Sequence, residues 1–104
     1  MSASLSPLRA EIDALDAEIV ELLGRRFGVV RRVAAIKQRE GLPSVLPDRV
    51  EAVKARAAEL GETQGLDPAF MRTLYQMIID EACRVEEDFF AKSAAAKDGD
   101  TGAP

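Results

Sequence analysis

Apolar residues recur at helical spacing through the first forty positions. At about 100° per residue, Leu8, Ile12, Leu15, Ile19, Leu22, Leu23, Val30 and Val33 fall within one arc of a helical wheel about 100° wide. Arg26 and Lys37 fall inside that same arc, not on its rim. A buried cation is strongly unfavourable unless it is paired, so each is either matched by an internal acid or held for an anion. Two cations about three turns apart on one stripe suggest an anionic ligand site inside a helical bundle. Internal salt bridges, or long side chains snorkelling to the surface, are the alternative.

The first helix is predicted to open with Ser6 as N-cap and Pro7 at the first helical position, and to run to Glu40, where Gly41 stops it. Such a helix is about 50 Å long at about 1.5 Å per residue. A compact globule of about 100 residues is only about 33 Å across. The stripe continues to the helix end, so something outside the chain must cover it, and a homodimer with two long helices paired along their length follows.

Residues 41–47 form a connector with two prolines, Pro43 and Pro47. Pro47 opens a second helix through about Gly61, with Val50, Val53, Ala57 and Leu60 on one face. Asp67 as N-cap and Pro68 at the first position open a third, which carries Phe70, Leu74, Tyr75, Ile78, Ile79, Ala82, Val85 and Phe89 to about Phe90. Glu86 projects between Tyr75, Ile79 and Ala82, where it either pairs with a bundle cation such as Arg26 or serves a site. Glu87 and Asp88 point away like ordinary surface acids. Residues 91–104 turn small and polar and are expected to be a disordered tail. The prediction is one all-α domain over residues 1–90, with one long and two shorter helices per chain in an intertwined helical homodimer.

Composition narrows the chemistry. The chain has 104 residues, 47% apolar and 31% charged, the balance of one small soluble domain. No apolar run approaches a membrane span, and the N-terminus lacks the pattern of a signal peptide, so a cytoplasmic location and no membrane partner are expected. With no His and the single Cys83, a metal site is not expected, and a serine or cysteine nucleophile has no imidazole base. A net charge of −4 argues against nucleic acid as partner. Arg25, Arg31 and Arg32 lie away from the stripe, on a solvated face. What remains is Arg9, Arg26, Lys37 and Arg49 with one inward acid. Such a set suits a di-anionic substrate whose reaction needs orientation and charge stabilisation and no cofactor, as a pericyclic rearrangement does.

The run Leu8-Arg9-Ala10-Glu11-Ile12-Asp13-Ala14-Leu15-Asp16, then Leu22-Leu23-Gly24-Arg25-Arg26 and Ala35-Ile36-Lys37, resembles the all-helical chorismate mutases. Pro47-Asp48-Arg49-Val50, Gly65-Leu66-Asp67 and Leu74-Tyr75-Gln76-Met77-Ile78-Ile79-Asp80-Glu81 continue the resemblance, which covers roughly residues 7–90. It implies an intertwined dimer and a [3,3]-sigmatropic isomerase of aromatic biosynthesis from the shikimate pathway. It also implies that Arg9, Arg26 and Arg49 bind substrate carboxylates, with Arg9 reaching into the partner chain's site. Lys37 would meet the ether oxygen. Glu86, at a position where the family has Gln or Glu, would give that oxygen a second hydrogen bond. A carboxylate cannot donate, so Glu86 would act protonated.

Three positions depart from the family pattern. Leu46 and Val50 stand where acids usually hold the ring hydroxyl, and Ala82 where a small hydroxyl residue is common. A site built to hydrogen-bond a hydroxyl discriminates strongly for it, and these acceptors are gone. Two relatives share the scaffold with altered ring contacts. The isochorismate pyruvate lyases also have Arg-Val after a proline, and the 4-amino-4-deoxychorismate mutases resemble the run Glu81-Ala82-Cys83-Arg84-Val85-Glu86-Glu87. For a cationic amino substituent, Glu51 and Asp48 are the candidate partners. The expected function is therefore rearrangement of chorismate to prephenate, or of an analogue such as 4-amino-4-deoxychorismate. Pyruvate elimination from isochorismate, and a catalytically silent helical dimerisation module, are the alternatives.

Overall fold

The computed structural model describes residues 3–101, with side chains for 3–95. Helix α1 spans Ser6–Glu40, α2 spans Pro47–Thr63 and α3 spans Pro68–Thr101, with a single 3-10 turn at Ala3–Leu5 before α1. No strand occurs among the described residues, and no described helix is long and apolar enough to cross a membrane.

Local chemistry accounts for most of the boundaries. Gly41 takes the left-handed conformation at φ 71°, which lets Leu42 N–H reach back to the Lys37 carbonyl at 2.8 Å and closes α1. Pro47 opens α2, where its missing N–H costs nothing. Asp67 caps α3 as expected, its Oδ2 accepting Phe70 N–H at 3.1 Å. Two ends differ from the sequence reading. Ser6 is the first residue of α1 and not its cap, because the preceding 3-10 turn already holds Leu5 in a helical conformation. The third helix continues past Phe90 to Thr101. Ala91, Ala94, Ala95, Ala96 and the lysines beside them are strong helix formers, and no Gly or Pro intervenes before Gly99. Residues 102–104 of the expected tail lie outside the described residues.

The tertiary arrangement is open. Both α1 and α2 pack on α3, and they do not pack on each other. The molecule measures 68 × 32 × 17 Å with a radius of gyration of 18.9 Å, against about 13 Å for a compact chain of this length. Its accessible surface is 7849 Å², where a compact monomer of this mass would have about 5,700 Å². The buried apolar residues are Ala34, Ala57, Ile79 and Ala82, all lying where α3 meets its two neighbours. Gly61 permits the closest approach at the far end of α2, since a Cβ there would lie 2.5 Å from Met71 Cγ. By contrast the N-terminal half of the α1 stripe has no cover within the chain. Leu8, Ile12, Leu15, Ile19 and Leu22 are each more than half exposed.

Candidate functional site

Because α1 and α2 stay apart, a groove of about 440 Å³ opens between them with α3 as its floor. That volume lies within the range of small-molecule sites. From α1 come Arg26, Val30, Val33 and Lys37, from the connector Ser44 and Leu46, and from α2 Arg49, Val50 and Val53. The floor is Ile79, Ala82, Cys83 and Glu86. Seven of the residues singled out from the sequence therefore converge: Arg26, Lys37, Leu46, Arg49, Val50, Ala82 and Glu86. The eighth, Arg9, sits on the exposed N-terminal part of α1 and does not line the groove.

At the bottom of the groove the Lys37 ammonium lies 2.8 Å from Glu86 Oε1, with side-chain exposures of 13% and 7%. Lys37 also donates to the Ser44 carbonyl at 2.8 Å. Glu86 Oε1 is nonetheless a buried oxygen without a hydrogen bond. The pairing of Lys37 with that oxygen is therefore one of charge at 2.8 Å. Glu86 is thus electrostatically matched and still has hydrogen-bonding capacity free. The bundle cation beside Glu86 is Lys37 in place of Arg26.

Arg26 is held differently. Its guanidinium lies 5.8 Å from the centroid of the Tyr75 ring, a cation–π contact worth about 0.5–1 kcal/mol at such a site. Among the described residues neither Arg26 nor Arg49 has a carboxylate within ion-pair distance. The groove accordingly presents two uncompensated guanidinium groups and one ammonium against a single acid. That is a receptor for an anion carrying more than one charge. The ring-contact positions are as apolar as the sequence implies: Leu46 and Val50 are half-buried in the wall, and Ala82 is buried in the floor.

Glu51 and Asp48 are not in the groove. Glu51 turns to the outer seam of α2 and α3, where it binds Arg72 at 2.8 Å and Lys54 at 3.5 Å. The pull of two cations outside the groove explains why it does not serve a substituent inside. Glu87 is exposed as expected, and its Oε1 also accepts the Ser44 hydroxyl at 3.2 Å. Ser44 and Cys83 escaped the sequence reading altogether. The only signal for Ser44 was a small polar residue between two prolines, and a lone cysteine at a helical position says nothing of its surroundings.

A second hollow, of about 490 Å³, lies between Arg31 of α1 and the stretch Arg84–Ser93 of α3. It is slightly larger but chemically poorer. Arg84 is bound to Glu81 at 2.6 Å and Lys92 to Asp88 at 3.1 Å, and both pairs are largely exposed. It contains no buried polar group, so the α1–α2 groove is the better candidate.

The sequence profile of the type II chorismate mutase family matches residues 8–87. The chain is 46% identical over 83 residues to a 4-amino-4-deoxychorismate mutase of Streptomyces venezuelae, covering 80% of this chain and 81% of that protein. A 4-amino-4-deoxychorismate mutase of Streptomyces pristinaespiralis is 38% identical over 91 residues, covering 88% of this chain and 70% of the relative. An isochorismate pyruvate lyase of Pseudomonas aeruginosa is 37% identical over 76 residues, covering 72% and 73%. The chain belongs to the type II chorismate mutase family, and it is an enzyme of chorismate mutase type.

The floor of the groove makes a pH prediction through Cys83. Burial pushes its thiol above the ordinary cysteine range, and the negative Glu86 adds to the effect, while Lys37 opposes it. The thiol is therefore protonated at neutral pH, and alkylation requires the thiolate. Iodoacetamide should label Cys83 slowly at pH 7.5 and faster as pH rises beyond the range of a free cysteine, followed by intact mass. Glu86→Gln removes a charge that raises the value, so its labelling profile should move to lower pH. A wild-type profile matching that of a free cysteine would contradict the half-buried position beside Glu86.

Proposed function

We propose that this chain is a homodimeric, cofactor-independent mutase whose substrate is 4-amino-4-deoxychorismate. The observation that carries the mutase reading is the charge arrangement of the groove, three cations against one acid. The choice of the amino compound rests on the two relatives named for that activity. In a [3,3]-sigmatropic rearrangement the carbon–oxygen bond of the enol ether breaks as a carbon–carbon bond forms within one cyclic array. No proton, metal or leaving group takes part, so the protein need only hold the folded conformer and stabilise charge on the ether oxygen. Arg26 and Arg49 hold the carboxylates, joined by Arg9 of the partner subunit. Lys37 directs an N–H to the ether oxygen, and Glu86, paired with Lys37 in the free enzyme and protonated only in the substrate complex, supplies the second hydrogen bond.

The dimer belongs to the same proposal. A chain this flat, with half of its longest apolar stripe in water, buries too little to be stable alone. A second α1 along that stripe would cover it and would carry Arg9 toward the other groove. The same residues in a cytoplasmic dimer could instead eliminate pyruvate from isochorismate, and incubation decides. The protein is supplied separately with 4-amino-4-deoxychorismate, chorismate and isochorismate, and the products are separated by chromatography. The expected order of kcat/KM has the amino compound first. Salicylate and pyruvate from isochorismate as the dominant reaction would replace the mutase reading with the lyase one.

Two groove cations should respond differently to truncation. Lys37→Ala removes a donor at the reacting oxygen and should lower kcat roughly 100- to 1,000-fold. It also strands Glu86 in a buried position, at a cost of about 1–3 kcal/mol. Arg26→Ala strands no acid, so it should raise KM while melting within about 0.5 kcal/mol of wild type. Thermal melts beside steady-state kinetics test both, and equal melting of the two variants would refute the assigned pairing.

Leu15→Asp or Ile19→Asp places a charge in the middle of the uncovered stripe. If that stripe is the dimer interface, either variant should unfold the chain and not merely dissociate it. Sedimentation with circular dichroism reads the result. A helical monomer of either variant at low micromolar concentration would count against the intertwined dimer.

A further inference from the structure

We propose that Ser44, held by Glu87, is a positioning residue for Lys37. The inference rests on the mutase reading for its kinetic consequence but not for its geometry. Two consecutive acids of α3 reach the same lysine by separate routes. Glu86 meets the ammonium directly at 2.8 Å. Glu87 accepts the Ser44 hydroxyl at 3.2 Å, and the carbonyl of that serine accepts the Lys37 ammonium at 2.8 Å. Ser44 is buried although it belongs to a connector whose neighbours Pro43 and Val45 are exposed. The backbone end of Lys37 is tied to the same connector, since its carbonyl accepts Leu42 N–H at 2.8 Å. Lys37 is therefore the post around which the turn is wound.

A lysine has four rotatable side-chain bonds, and a lone carboxylate does not fix the direction of its N–H groups. Here the ammonium has two anchors, Glu86 Oε1 at 2.8 Å and the Ser44 carbonyl at 2.8 Å. The Ser44 carbonyl is what takes one N–H and so orients the other two. Without it the ammonium keeps its charge partner and loses its aim.

The test uses the full chain and two readouts. The first is NMR of the Lys37 side chain in lysine-labelled protein, assigned by its loss in Lys37→Arg. In Ser44→Ala and Glu87→Ala the Lys37 Cε resonances should move toward those of exposed lysines, and in Ser44→Thr they should stay. The second is steady-state kinetics. Both alanine variants should lose roughly five- to tenfold in kcat with KM within about twofold, the size expected for one exposed charge-assisted hydrogen bond acting in the transition state. Ser44→Thr should restore it. An unchanged Lys37 spectrum in both alanine variants overturns the proposal, as does a rise in KM at constant kcat. If Ser44→Ala fails to fold, Glu87→Ala asks the same question from an exposed position. A wild-type protein silent toward all three substrates would sink the mutase reading, while the NMR readout still decides the role of Ser44.

Discussion

The structure depends on α3 being the one surface that both other helices pack against. Close approach there is possible because the residues at the seams are small: Ala34 on α1, Ala57 on α2 and Ala82 on α3. Had α1 and α2 also met, their valines would have filled the space between them and produced an ordinary three-helix core. Held apart, they leave a groove with valine-lined walls that also carries Arg26, Lys37 and Arg49. The cost is an interior with no large side chain fully buried among the described residues. Stability has been traded for a cavity, and cover from outside the chain is the natural remedy.

Within that groove the ion pair of Lys37 and Glu86 and the cation–π contact of Arg26 with Tyr75 do different work. The first places opposite charges together where water is scarce, so neither group can be removed without stranding the other. The second steers a guanidinium without neutralising it, because an aromatic face offers direction but no net charge. An anion entering the groove thus meets Arg26 and Arg49 at full strength, while Lys37 must be partly released from its acid to engage. This division suits a site in which some contacts confer affinity and others act only as charge moves.

Much of this was legible in the sequence wherever a local rule governs. Gly41, Pro47 and the Asp67–Pro68 pair mark helix ends by their own backbone chemistry, and each marks one here. The inward position of Glu86 followed from helical spacing, which needs no knowledge of neighbours. Spacing also grouped Arg26 and Lys37, but it could not say that one faces a ring and the other an acid. Spacing says least about residues whose partners lie on other elements. Glu51 is drawn outward by Arg72 of α3, and Glu87 is engaged by a connector whose path no periodicity encodes. The end of α3 was also set too early, since alanine propensity sustains the helix past Phe90.

The sorting of charge has a further consequence. The chain as a whole is anionic, at −4, yet its groove concentrates unmatched positive charge. A di-anion is therefore repelled by the molecule at long range and attracted only within about a Debye length of the groove mouth. Salt weakens both effects, but not equally, since the groove is partly shielded from solvent and the surface is not. Capture should thus tolerate moderate sodium chloride better than an exposed basic patch would. Multivalent buffer anions such as phosphate and sulfate are a different matter, because two guanidinium groups without a carboxylate partner attract their charge. If the groove is the substrate site, the choice of buffer is a choice of competitor.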